Sequence, residues 1–278
     1  MTTKYEALLE KVYEINDIER ATAVLSWDRE TNMPPKGITA RVQQMTTLNH
    51  LSHSLFTAEE MGELIEAAAD ELGDAPYDSN EASLIRLLRR TYANARKLPS
   101  EFVTRVSEVS GHAHGAWVQA READDFQAFL PWLEQVVELG QEMAEYYGYD
   151  DEMSDTLLDK YEFDMKTAEV RETFAAVKQE LVPLREAIQE RGSSIDDSFL
   201  HQPFEIEKQK QFAHFIAPKV GYDFSRGHLG TVIHPFAISF GRDDSRITTR
   251  WSPDFINPFL FGTLHESGHA IYEQGTHP

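Results

Sequence analysis

Cysteine is absent from all 278 residues. That excludes disulfide frameworks, thiol nucleophiles and thiolate metal sites together, leaving histidine nitrogen and carboxylate oxygen as the strong metal donors. Long apolar runs are also missing, and no stretch approaches the roughly 20 residues that span a bilayer. The N-terminus, Met1-Thr2-Thr3-Lys4-Tyr5-Glu6, has no apolar segment and no small-residue cleavage site, so no signal peptide is expected and the expected location is cytoplasmic. Positive charge is scarce: 26 basic residues, 10 of them Lys, face 47 acidic ones, for a formal charge of −21. Such a field repels phosphate backbones and anionic lipid, which argues against nucleic acid and membrane as partners. An acidic, lysine-poor surface is compatible with a salt-loving host and equally with an ordinary acidic enzyme.

What is present reads mostly as helix, in a length that suits one large domain or two small ones. Tyr5, Leu8, Leu9, Val12, Tyr13, Ile15, Ile18 and Ala21 recur at helical spacing. Thr57-Ala58-Glu59-Glu60 reads as a capping box opening a helix through Leu72, with Gly73 as its stop. Further helices are expected from Pro99-Ser100, from about Asp125 to Tyr147, and from about Lys166 to Arg191 across Pro183. Near residue 229 the character changes. Gly230 to Phe240 is rich in β-branched and aromatic residues and reads as a strand interrupted by Pro235, and Arg246 to Trp251 alternates as a second strand. Together they predict a small hairpin over about 229–251. Asn257-Pro258 then opens a helix over about 257–274, with Gly275 past its end.

That last helix carries His265-Glu266-Ser267-Gly268-His269. Two imidazoles four residues apart lie on one face, about 6 Å apart along the axis, and both can reach one cation. Neutral imidazole in a cysteine-free site suits zinc. Glu266, one step round the helix, is placed to take a proton from water acidified by the cation and to pass it to a leaving amine. The mostly apolar flanks, Phe259, Leu260, Phe261, Leu264, Ala270, Ile271 and Tyr272, predict a buried helix, in which such polar groups are costly without a partner. A metzincin would carry Gly at 272 and His at 275, where this chain has Tyr272 and Gly275. The third ligand is therefore expected elsewhere, most naturally from a Glu on a following helix; His277 is a weak substitute.

Four segments in order resemble the carboxypeptidase Taq family, the thermostable metallocarboxypeptidases of bacteria and archaea. Leu25-Ser26-Trp27-Asp28 with Thr31, Met33-Pro34, Gly37, Arg41 and Gln44 is similar to its N-terminal signature. His234-Pro235-Phe236 resembles its HPF motif, Asp244-Ser245-Arg246-Ile247-Thr248 its DxRxT motif, and His265 to Gly275 its metal helix. The resemblance implies a mainly α fold, a zincin-like helical body with a long groove and a small sheet beside the metal helix. It also implies one divalent ion, zinc or cobalt, and homodimers when full length. The implied reaction removes single residues from peptide C-termini with broad specificity. His265 and His269 map to metal ligands and Glu266 to the general base. The family's third ligand, a Glu in a later His-Glu-Ser segment, has no counterpart here, so residues 1–278 are expected to form one incomplete metallopeptidase domain.

Other matched positions leave alternatives open. His234 is either a structural or hydrogen-bonding wall residue or a substrate contact. Arg246 either meets a substrate carboxylate or pairs with Asp244 to hold the turn. Thr248 and Thr249 offer a strand edge for substrate backbone pairing, and Trp27 and Asp28 read as packing and cap residues. Two competing functions stand beside the carboxypeptidase: an endo-oligopeptidase, and an inactive fragment lacking the third ligand.

Overall fold

The computed structural model describes residues 2–192 and 195–276, so His277 lies outside the described residues. Ten α-helices and three strands occupy them, a mainly helical fold with one small sheet. The Cα trace divides into two compact units, residues 1–25 with 34–171, and residues 26–33 with 172–278. None of the described helices is long and apolar enough to cross a membrane.

The first helix, α1 (Lys4–Thr31), meets no Gly or Pro until Pro34, which disfavours helical geometry at Met33. The Asp28 carbonyl accepts the amides of Asn32 and Met33 and closes it. Asp28 thus lies inside the last turn and ends the helix through its backbone. The first unit continues with α2 (Ile38–Phe56), α3 (Glu59–Leu72), α4 (Asn80–Ala95), α5 (Ser100–Glu122), α6 (Phe126–Tyr147) and α7 (Met153–Leu158). Its core joins Leu8 of α1, Met61, Ile65 and Ala68 of α3, and Ile85 and Leu88 of α4, one apolar stripe per helix. The expected capping box at Thr57 is corrected. The Thr57 hydroxyl donates to the His53 carbonyl, 2.7 Å away, at the end of α2, and Ala58 is the N-cap of α3 without a side-chain bond. Thr57 back-bonds to the preceding helix before it can cap the next one. Gly73 does close α3, at φ 53°, where glycine has no steric cost.

In the second unit, α8 (Thr167–Gly192, its first turn belonging to the first unit) leads to α9 (Ile206–Ile216), the sheet, and α10 (Asn257–Gln274). The sheet has three strands, β1 (Leu229–Thr231), β2 (Ala237–Gly241) and β3 (Asp244–Thr249), in the order β1-β3-β2. β2 and β3 form the antiparallel hairpin, with Ala237 opposite Ile247, and β1 pairs parallel to the other edge of β3, with Leu229 opposite Ile247. Pro235 does more than interrupt one strand. The chain turns there and crosses over β3, so the two halves of the expected strand flank it on opposite sides. β3 is the central strand, which corrects the expectation that Thr248 and Thr249 offer a free edge. Both are fully buried, and their ladder is used on both sides.

α10 packs on β3 and β2. Its buried stripe is Phe259, Thr263, Glu266, Ser267, Ala270 and Gln274. Ile247 of β3 meets Ala270 in the core, with Ala217 and Tyr222, and the Thr249 hydroxyl donates to the Phe259 carbonyl at 3.2 Å. At the far end the buried Gln274 amide accepts from the Asp223 N–H and donates to the Asp223 and Arg226 carbonyls. The opposite face is open: Phe261 is 59% and Tyr272 75% exposed. α10 is therefore half-buried, not the buried helix that its apolar flanks predict.

Candidate metal centre

Pro258 in the first turn and Gly275 after the last residue bound α10, so the spacing of its side chains is that of an uninterrupted helix. His265 and His269 both project from its exposed side. Their Nε2 atoms approach to 3.2 Å, and the rings stand 4.9 Å apart at 80°. Two nitrogens bound tetrahedrally to zinc at its usual bond length are about 3.3 Å apart. The pair thus has the bite that one such ion requires, and the donor set fits it. Among the described residues no group of three or more His, Asp or Glu side chains is gathered to hold a metal.

Glu266 lies on the other side of the helix rim and is only 6% exposed. Burial pushes its carboxyl above the usual carboxylate range, while the imidazoles of His265, His269 and His234 pull it back. His234 is exposed and stands in the turn between β1 and β2. Its neighbour Pro235 reaches α10 at Gly262, with the proline Cγ 3.7 Å from the point a Cβ at Gly262 would occupy. The structure therefore gathers four of the five residues singled out from the sequence: His265, His269, Glu266 and His234.

Arg246 is not among them. Side chains alternate along a strand. Ile247 and Thr249 face α10, and Arg246 faces away, towards the last turn of α1. Its Nε and Nη2 donate to the two Asp244 carboxylate oxygens at 2.8 and 2.7 Å. The guanidinium lies 4.9 Å from the Phe240 ring and 5.6 Å from that of Trp27. Arg246 is thus paired with Asp244 across two residues of β3. An open depression of about 440 Å³ lies here, lined by Trp27, Asn32, Arg226, Asp244 and Arg246 among others. Trp27, 3% exposed, meets Phe236 edge-on at 5.8 Å and His228 at 6.1 Å, so its packing role is plain.

Two contributors escaped the sequence reading. Thr248 bonds through its hydroxyl to both backbone groups of Phe236, and Gly262 lets α10 approach the Thr249 hydroxyl, which lies 3.3 Å from where a Cβ would stand, with Pro235 alongside. A strand threonine and a helical glycine carry no local signal for either contact.

The family model for carboxypeptidase Taq (M32) metallopeptidases matches residues 7–278. Thermostable carboxypeptidase 1 of Thermus thermophilus is 37% identical over 98% of this chain and 55% of its own length. Carboxypeptidase 1 of Bacillus subtilis is 32% identical over 94% and 52%. Among solved structures, one named BsuCP superposes with a TM-score of 0.93 at 31% identity, over 98% of this chain and 54% of that one. The Pyrococcus furiosus carboxypeptidase does so with 0.84 at 35%, over 98% and 55%. The chain spans about half the length of the curated relatives it matches. By sequence along nearly its whole length and by fold, this chain belongs to the carboxypeptidase Taq (M32) metallopeptidase family.

Proposed function

We propose that residues 1–278 form the N-terminal portion of one metallopeptidase domain that removes single residues from peptide C-termini, with broad side-chain preference. The observation that carries this reading is the 3.2 Å approach of the His265 and His269 Nε2 atoms beside the buried Glu266. These two imidazoles hold one divalent cation, zinc in the first instance and cobalt as its substitute. When bound, the cation supplies Lewis acidity towards water and a peptide carbonyl. Glu266 takes the proton of the attacking water on its carboxylate oxygen and delivers it to the leaving amine nitrogen. Burial keeps that carboxylate out of bulk solvent, so the proton passes between water and amine without leaking away. His234, across from Glu266, forms the wall against which the substrate lies. The full-length assembly in this reading is a homodimer working in the cytoplasm on unstructured peptides.

Two matched peptides, one with a free C-terminus and one amidated, test the reaction in the presence of zinc. Stepwise loss of single residues from the free peptide alone is the expected result, and Glu266→Gln slows it at least ~100-fold with zinc content unchanged. Cleavage inside the amidated peptide would make the protein an endo-oligopeptidase. Intact peptides in both arms, with zinc bound, would make this chain an inactive fragment.

A further inference from the structure

Between β1 and β2 the backbone of residues 232–236 leaves the ladder, and its polar groups need partners elsewhere. One end is pinned where the Val232 N–H donates to the Thr249 carbonyl at 3.1 Å. The other is held by Thr248, next to the pairing of Ala237 with Ile247. The Thr248 N–H donates to the Phe236 carbonyl at 3.0 Å. Its hydroxyl donates to the same carbonyl at 2.8 Å and accepts the Phe236 N–H at 2.7 Å. A hydroxyl has one proton and two lone pairs, so it can do both at once. Thr248 is fully buried, which removes water as a substitute. Valine has the same shape and equal strand preference, so packing in β3 does not call for threonine. The hydroxyl does.

Between these two pins, Pro235 meets α10 at Gly262. A Cβ there would lie 3.3 Å from the Thr249 Oγ1 and 3.7 Å from the Pro235 Cγ. Gly262 precedes His265 by three residues and Glu266 by four, hence shares their side of the helix. The turn is therefore located by a hydroxyl bridge at one end and by the contact of Pro235 with α10 in its middle, and His234 sits next to that contact.

We infer that Thr248 is a positioning residue that acts through Phe236 to hold His234 beside the Glu266 face of α10, with Pro235 resting against α10 at Gly262. The geometric part stands on the bonds above; its catalytic consequence rests on the peptidase reading.

Three measurements test it. Thr248→Val is expected to lose the nuclear Overhauser contacts between the Pro235 ring and the Gly262 α protons while keeping those between the His265 and His269 rings. Thr248→Ser retains both sets. In the unaltered protein and in Thr248→Ser, the Phe236 amide is expected to be protected from hydrogen exchange at the level of the β3 amides. In peptide hydrolysis Thr248→Val lowers kcat/KM by roughly 10- to 100-fold. Thr248→Val combined with His234→Ala falls no further than the lower single variant, because both changes remove the same placement. Persistence of the Pro235–Gly262 contacts in Thr248→Val overturns the inference, and so does full additivity of the two substitutions. If Thr248→Val does not fold, a fast-exchanging Phe236 amide in the unaltered protein overturns it by itself. A protein that hydrolyses nothing, yet shows the contacts and the protection as stated, sinks the peptidase reading and leaves the positioning intact.

Discussion

Trp27 is near the N-terminus, yet it packs in the second unit, and its removal should destabilise that unit alone. Its indole is 97% removed from solvent. Burial of a side chain of that size contributes roughly 4–6 kcal/mol as an upper bound. Trp→Ala changes in cores typically cost about 3–5 kcal/mol. Little can fill the hole, because the strand beneath it presents Gly230. A Cβ at that glycine would already lie 3.0 Å from the indole. Arg246 also loses the ring beneath its guanidinium, about 0.5 kcal/mol at a half-exposed site. The expected cost of Trp27→Ala is therefore about 4 kcal/mol, a large fraction of the stability of a unit this size. Trp251 is the other tryptophan of the second unit, while Trp117 and Trp132 lie in the first. Urea unfolding in a background with Trp117 and Trp132 changed to Phe reads the second unit through Trp251 fluorescence. Its midpoint should fall in Trp27→Ala, whereas Trp117 and Trp132 in a Trp251→Phe background should report an unmoved first unit. A loss below about 1 kcal/mol, or a shift carried by the first unit, would refute the reasoning.

Zinc at about 100 times its dissociation constant should stabilise the second unit by about 2.7 kcal/mol. His265→Ala and His269→Ala should each abolish that shift, which thermal unfolding with and without chelator would show. In the first unit, the Asp155 carboxyl is held below its usual range by hydrogen bonds from Thr167, whose N–H lies at 2.8 Å, and by Lys166 at 3.5 Å. Its folded-state value lies below the unfolded one, so its contribution is present above about pH 4 and fades as the pH falls through the folded value. Asp155→Asn should flatten the acid limb of first-unit stability, and an unchanged limb would count against the assignment.

How much of this was legible in the sequence depends on the range of each interaction. α10 could be bounded because proline at its start and glycine at its end are local signals, and the His-Glu-x-x-His spacing fixes which side chains share a rim. The hairpin was legible from alternation. The parallel pairing of β1 with β3 was not, since a crossover through Pro235 is decided by partners more than a dozen residues away. The same blindness made Thr248 and Thr249 look like an edge, because a central strand and an edge strand of this length share one pattern. Thr57 misled for the opposite reason: two local bonds compete there, and the end of α2 takes the hydroxyl that a capping box would use.

The position of Arg246 follows from the same sheet. A three-stranded sheet has two faces, and here they do different work. One is covered by α10, whose buried stripe includes Glu266 and whose exposed side carries the two imidazoles. The other is covered by Trp27 and clamped by the Arg246–Asp244 pair, whose bonds close on a strand neighbour two residues away. The same strand bears Thr248, and the Trp27 ring meets edge-on the same Phe236 whose backbone Thr248 holds. Motifs far apart in the chain thus converge on one short turn from the side opposite α10. In the proposed positioning, the N-terminal signature and the DxRxT segment act through the turn that bears His234.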